Sequence, residues 1–243
     1  MLKTTYIFLT ALLFCIAGGF QAVQAQGGIV DPTNPQVSDR LGGIMTKAPP
    51  VNAEYEGTPH LLEEFTLGNV RTRGGEQFEN LVMNYNAFNN TVEIMHENEA
   101  FVLNEMQVNS FSLRMPDGSN ATFQNRVGVL PGEFDNFQYL QVLHEQDTGL
   151  YRKVEKEFQE GGQVVGYGGA SRSPNRFVER EQLYFMDENG DFHNVRTRRR
   201  SVLRLFGDHR RDVRNFASER NLDYGDPQHI TQMVMFYEQQ LEQ

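Results

Sequence analysis

Between residues 78 and 95 apolar and polar side chains take turns along the chain. Phe78, Leu81, Met83 and Tyr85 lead into Asn89-Asn90, and Val92 and Ile94 lead out. A period of two is that of a strand with one face buried. Asparagine tolerates the left-handed backbone of a tight reversal, so the stretch predicts a β-hairpin turning at Asn89-Asn90. Residues 69–73 precede it as a strand-like piece, with Gly74-Gly75 as the turn between. Residues 100–103 are a short apolar run, and Phe111, Leu113 and Met115 alternate up to Pro116-Asp117-Gly118-Ser119, a strong turn signal. Residues 121–123 and 126–130 follow. Residues 137–143 are apolar on both alternating faces and predict a central strand. Residues 150–158 fit a strand or a helical stripe through Leu150, Val154 and Phe158, and the preceding turn at residues 146–149 favours strand. Residues 177–186 and 192–197 make a further hairpin. Short strands at this spacing predict an antiparallel β meander, built as a sandwich or as an open, barrel-like sheet.

Helical signals lie at the two ends of this run. Thr58-Pro59 suits the cap and first position of a short helix carrying Leu61, Leu62 and Phe65. Near residue 198 the period changes for good. Val202, Leu205 and Phe206 make one short stripe closed by Gly207. Asp208 can cap a second with Val213, Phe216 and Ala217 inward. Asp226-Pro227 begins a third, where Ile230, Met233, Val234, Tyr237 and Leu241 recur at three and four. Two to three helices over about residues 198–241, after a run of strands, make the class α+β.

The first 25 residues have a different character. Lys3 precedes an apolar run over residues 6–20, followed by Val23-Gln24-Ala25, the small-residue pattern of a signal-peptide cleavage site. We expect residues 1–25 to be a signal peptide, the mature chain to begin at Gln26, and the protein to reach the periplasm or the cell exterior. No later segment approaches the roughly 20 apolar residues of a membrane-spanning helix. Cys15 is the single cysteine and lies inside the apolar run, preceded by Phe14, so lipidation is not expected. Without it the chain has no thiol, which excludes disulfides, cysteine-ligated zinc and thiol nucleophiles. Residues 26–53 are rich in glycine and proline and poor in large apolar side chains, as a flexible tether is. One domain is expected over residues 54–243. Once Lys3 is removed, 21 basic residues face 32 acidic ones, a net charge of −11. That sign argues against nucleic acid as a general partner.

Catalytic signatures are missing. The histidines are His60, His96, His144, His193, His209 and His229, and no two stand at zinc-ligand spacing. His144 beside Glu145 is the best general-base candidate. Glu63-Glu64 point about 100 degrees apart on a helix and cannot face one substrate. The Asp187 to Asp191 loop resembles a calcium loop but carries Arg198 at the twelfth position, where a bidentate glutamate belongs. Five glycines between residues 161 and 169 lack the Gly-Lys-Ser or Gly-Lys-Thr of a phosphate loop, and a plain hairpin connection is the simpler reading. Nothing implies a cofactor or a metal.

The sharpest charge feature is eight arginines within nineteen residues, Arg196, Arg198, Arg199, Arg200, Arg204, Arg210, Arg211 and Arg214. Guanidinium forks bind carboxylate and phosphate, so Arg198, Arg199, Arg200, Arg210 and Arg211 are the candidate docking residues for lipid headgroups, acidic glycans or a partner protein. The alternative is that they solvate outer faces and pair with the surplus carboxylates.

Tyr55-x-Gly57-Thr58-Pro59-x-Leu61, Asn84-Tyr85-Asn86-x-x-Asn89-x-x-Glu93, residues 182–185 and the basic segment 199–206 resemble secreted proteins of Bacteroidota that carry no established activity. The resemblance covers most of the chain after the tether. It implies a Gram-negative envelope address and supplies no site residues. The leading expectation is a non-enzymatic binding or structural module of the cell envelope, whose partner is an envelope protein or an anionic surface component. The rival is an enzyme acting on an envelope polymer through dispersed carboxylates and histidines. The two differ in whether titratable groups converge in one cleft or a basic face stands exposed.

Overall fold

The structure, a computed structural model, describes residues 42–48, 55–131, 137–166 and 169–241; for residues 163–166 and 169–172 only the backbone is described. The expected signal peptide, residues 1–25 with Cys15, lies outside them, as does most of the expected tether.

The strands are β1 (Met45–Lys47), β2 (Thr66–Thr72), β3 (Gln77–Asn86), β4 (Thr91–His96), β5 (Glu99–Leu103), β6 (Val108–Arg114), β7 (Asn120–Val127), β8 (Phe137–Glu145), β9 (Gly149–Gln159), β10 (Gln163–Gly166), β11 (Gly169–Arg172), β12 (Arg176–Met186) and β13 (Phe192–Val195). Eleven of them form one antiparallel sheet in the order β1-β5-β4-β3-β2-β6-β7-β8-β9-β12-β13, and β10 and β11 pair as a separate ribbon between β9 and β12. The sheet is open, with β1 and β13 at its edges. Three helices follow: α1 (Arg199–Arg204), α2 (Arg210–Glu219) after a 3₁₀ turn over Gly207–His209, and α3 (Pro227–Leu241). This is the predicted α+β arrangement.

The central hairpin forms as its pattern requires. Phe78, Leu81, Met83, Tyr85, Val92 and Ile94 are all buried, and Asn90 takes the left-handed conformation at φ 57°. The spacing of three between Phe78 and Leu81 is a bulge: Asn80 sits at φ 58°, and the β2–β3 register shifts between Gly68 and Val70. The extra residue returns Phe78 to the buried face.

The strand order forces the sheet to curl. β5 and β6 lie four strand spacings apart, about 19 Å on a flat sheet. Yet residues 104–107 joining them are folded into a turn, with the amides of Gln107 and Val108 both donating to the Asn104 carbonyl. The β2–β5 layer therefore rolls until the end of β5 lies beside the start of β6. Inside the roll sit Phe78, Met83, Tyr85, Leu103, Val108, Phe111, Phe123 and Tyr139, with Phe111 stacked on Phe123 at 4.8 Å.

Two expectations at the domain entrance change. Ile44 is buried in this core and β1 pairs with β5 from Met45↔Leu103 to Lys47↔Phe101. The sheet thus begins inside the stretch read as a tether over residues 26–53, because Ile44 and Met45 supply the apolar pair that the glycines and prolines around them lack. The helix expected after Thr58-Pro59 is not formed. The Asn84 side chain takes its backbone groups instead, donating to the carbonyls of Leu62 and Glu64 and accepting from the Leu62 amide, while the Leu61 amide donates to the Tyr85 carbonyl. Tertiary bonds from β3 outcompete helical ones. The entrance segment instead ties two distant parts of the sheet, since Glu56 bridges Arg176 and His60 bridges Asn86.

The helices cover one face of β8, β9, β12 and β13. Val202, Phe206, Val213, Ala217, Ile230, Met233, Val234 and Tyr237 pack with Leu150, Leu183, Phe185 and Val195. Burial of each large apolar side chain contributes about 1.5–3 kcal/mol. Asp226 caps α3 through the Gln228 amide at 2.7 Å, as predicted. Asp208 lies within the 3₁₀ turn, and no side chain caps it or α2. In α1 the inward residues are Val202 and Leu203, where Leu205 was expected. The opposite face of the sheet has its own cluster of Leu130, Leu140, Tyr151, Tyr184 and Phe192.

Candidate functional site: an arginine-lined cleft

The edge of the sheet at β13 leads directly into the basic segment. Val195 is buried beside Leu183, so the alternation of the strand sends Asn194 and Arg196 to the other face. Gln182, opposite Arg196 on β12, lies on that same face and donates to Asn194 Oδ1 at 3.0 Å. Arg198, still extended at φ −135° and ψ 138°, is the N-cap residue of α1. Because α1 buries Val202 and Leu203, Arg200 and Arg204 are left exposed on one face, four residues apart.

These elements enclose a cleft of about 820 Å³ lined by Arg196, Arg198, Arg200 and Arg204 together with Gln182, Asn194 and Ser201. Its size lies within the roughly 300–1,000 Å³ of small-molecule sites. Among the described residues no carboxyl group lines it. A second cleft of about 430 Å³ shares Gln182, Arg196 and Arg198 and runs on toward Gly225 and Pro227. Its one acidic residue, Glu181, is held by Arg152 at 2.8 Å.

Among the described residues none of the eight arginines of this segment has a carboxylate within 4.0 Å. Several cations of the sheet, by contrast, are paired: Arg126 meets Glu145, Lys156 meets Glu179 and Arg180 meets Glu157. The expectation that surplus carboxylates neutralise the segment therefore fails among these residues. Charges that share a wall without counter-ions repel one another, and like charges four apart on a helix oppose folding by about 0.2–0.5 kcal/mol. An incoming anion relieves that repulsion.

The five arginines singled out from the sequence divide. Arg198 and Arg200 line the cleft. Arg199 turns away, its guanidinium 5.9 Å from the Tyr224 ring centroid. Arg210 and Arg211 are exposed on α2 and do not line it. Arg196 and Arg204 join instead. The alternation Asn194, Arg196 and the four-residue spacing of Arg200 and Arg204 carried that signal, whereas Gln182 depends on strand pairing that no local pattern reveals.

The histidines have been placed elsewhere. His144 contacts Glu238 of α3, His193 contacts Asp187 at 2.7 Å, and His60 Nε2 contacts Glu93 at 2.8 Å while its Nδ1 faces the Thr58 hydroxyl at 3.2 Å. Burial raises the Glu93 pKa, but hydrogen bonds from His60 and Asn86 outweigh it and hold the carboxyl below its ordinary value. No group of three or more potential metal ligands occurs among the described residues, and no helix among them is long and apolar enough to cross a membrane.

No protein-family model, curated protein or solved structure matches this chain.

Proposed function

We propose that this is an exported cell-envelope protein acting as a non-enzymatic binding module, and that its arginine-lined cleft recognises an anionic group. The observation that carries the reading is four arginines lining one cleft without a carboxylate, on a chain whose net charge is −10. Guanidinium forks give phosphate or carboxylate two parallel hydrogen bonds. A field confined to the cleft acts within a Debye length of about 10 Å at ordinary salt, so an anion is attracted there although the whole molecule repels it.

Isothermal titration with inorganic tripolyphosphate at low salt tests this. Binding is expected, weakening with added salt and lost in the Arg198→Glu/Arg200→Glu double variant, whose stability changes by no more than about 1 kcal/mol since these side chains are exposed. Binding that the double variant retains contradicts the assignment of the cleft.

The enzyme reading keeps one specific observation in its favour, the line of hydroxyl, imidazole and carboxyl through Thr58, His60 and Glu93. Thr58→Val separates the two roles. As a tie between the entrance segment and the sheet, the line contributes stability; as a nucleophile and base, it would leave hydrolysis of an ester probe dependent on Thr58.

A further inference from the structure

The edge of the sheet beside the cleft is incomplete. β12 pairs with β9 over its whole length, Arg176 to Met186, but β13 covers only Leu183 to Met186 on the other side. At the far end Glu56 occupies the edge, its amide donating to the Asn175 carbonyl and its carbonyl accepting from the Phe177 amide at 3.0 Å. Residues 178–182 lie between these two caps. The Phe177 amide points away from β9, and the unbroken β9–β12 register carries that orientation to Glu179 and Glu181. Their amides and carbonyls face the open edge, and no described residue pairs with them across it. The slot is about 17 Å long at about 3.4 Å per residue.

We propose that the partner of the cleft is an extended acidic peptide that adds to β12 in this slot as a further strand, lying between Glu56 and the end of β13. The proposal rests on the anion-binding reading of the cleft and names its ligand. Backbone pairing supplies affinity in such strand addition, and side chains supply selectivity. Here selectivity is electrostatic. Gln182, at the slot's end, lines both clefts with Arg196 and Arg198, so a strand entering the slot carries its side chains toward those guanidinium groups. The charges within the slot are already matched: Glu179 by Lys156 at 2.8 Å, Arg180 by Glu157 at 3.1 Å and Glu181 by Arg152 at 2.8 Å. At the Gln182 end of the slot the charge that remains unneutralised is positive, Arg196 and Arg198, whereas Glu56 marks the far end. A flat anionic membrane fits less well, since the large exposed apolar side chains, Leu67, Val82, Phe88, Met106, Val127, Phe158 and Met235, do not line either cleft.

Fluorescence anisotropy with a labelled peptide alternating aspartate and valine tests the proposal in the full-length protein. Binding is expected, and it should fall about tenfold or more in Arg198→Glu/Arg200→Glu and in Glu181→Pro, which removes an outward N–H that the peptide needs. The same peptide N-methylated at alternate residues cannot pair and should not bind, an arm that holds even where Glu181→Pro does not fold. Equal binding of the methylated peptide overturns strand addition; tripolyphosphate binding in the same protein would then show that the anion site itself stands. Loss of both ligands removes both readings. Anionic phospholipid vesicles bound as tightly as the peptide and unaffected by Glu181→Pro would assign the edge to lipid headgroups. A dimer dispersed by Arg198→Glu/Arg200→Glu, with no peptide bound, would assign it to a second copy of the chain.

Discussion

Replacing Glu238 with alanine removes the acceptor that fixes α3 to the sheet. Its side chain is buried at 6 % exposure. One oxygen accepts from the Thr148 amide at 2.9 Å and from the Thr148 hydroxyl at 2.8 Å, and the other meets His144 Nε2. In the variant the buried amide and hydroxyl of Thr148 and the partly buried imidazole of His144 lose this partner together. Hydrogen bonds to charged groups contribute about 1.5–3 kcal/mol each, and breaking a buried pair from one side costs about 3–5 kcal/mol. The lower figure is already a large share of the roughly 5–15 kcal/mol that separates a folded domain from its unfolded chain. With a urea slope near 2 kcal/mol per molar, the midpoint should fall by about 1.5–2.5 M with the slope unchanged. Gln232→Ala, exposed on the same helix, should change stability by less than about 0.5 kcal/mol. A Glu238→Ala midpoint within about 0.5 M of the parent, or about 1 kcal/mol, would show that the apolar stripe alone docks the helix and that this cluster is incidental.

Other consequences are equally direct. Glu93 titrates below its ordinary value of 4.5 in the folded protein, so its contribution to stability is present above that ordinary value and is lost as pH falls through the lowered one. Glu93→Gln should therefore flatten the acid limb of stability against pH, and parallel limbs in urea titrations would contradict this. Asn84→Ala should cost about 2 kcal/mol by stripping partners from Leu62 and Glu64 and should speed hydrogen exchange at the Leu62 amide. In Gly68→Ala the new methyl runs into the Ser112 carbonyl oxygen and meets Met83 Sδ at 2.6 Å. The strand must shift, costing about 1–3 kcal/mol in thermal unfolding, and a neutral result would show that β2 has room to move.

Much of the fold was legible because its signals are local. The alternation of Met83, Tyr85, Val92 and Ile94, the turn at Asn90 and the cap at Asp226 each act within a few residues of themselves. What was not legible depends on partners far along the chain. Asn84 reaches back 22 residues to unmake a helix that Thr58-Pro59 would otherwise begin, and Glu238 reaches 90 residues to Thr148. β1 needed the exposed edge of β5 before Ile44 and Met45 could count as anything but tether. The arginine segment was conspicuous in composition, but its division was not. A short helix that buries Val202 and Leu203 sends Arg200 and Arg204 into the cleft and leaves Arg199 to Tyr224, and no charge count shows that rotation. The motif shared by residues 55–61 and 84–93 likewise becomes meaningful only in three dimensions, where His60, Asn86 and Glu93 join by hydrogen bonds of 2.8 Å.

The arginine cleft is tested most directly by following backbone amide and arginine side-chain resonances while tripolyphosphate is titrated into the labelled protein at low salt. The account predicts saturable shifts concentrated at Gln182, Asn194, Arg196, Arg198, Arg200 and Arg204, with Arg210 and Arg211 on α2 little changed. Shifts spread evenly over all exposed arginines, or centred on His60 and Glu93, would contradict it.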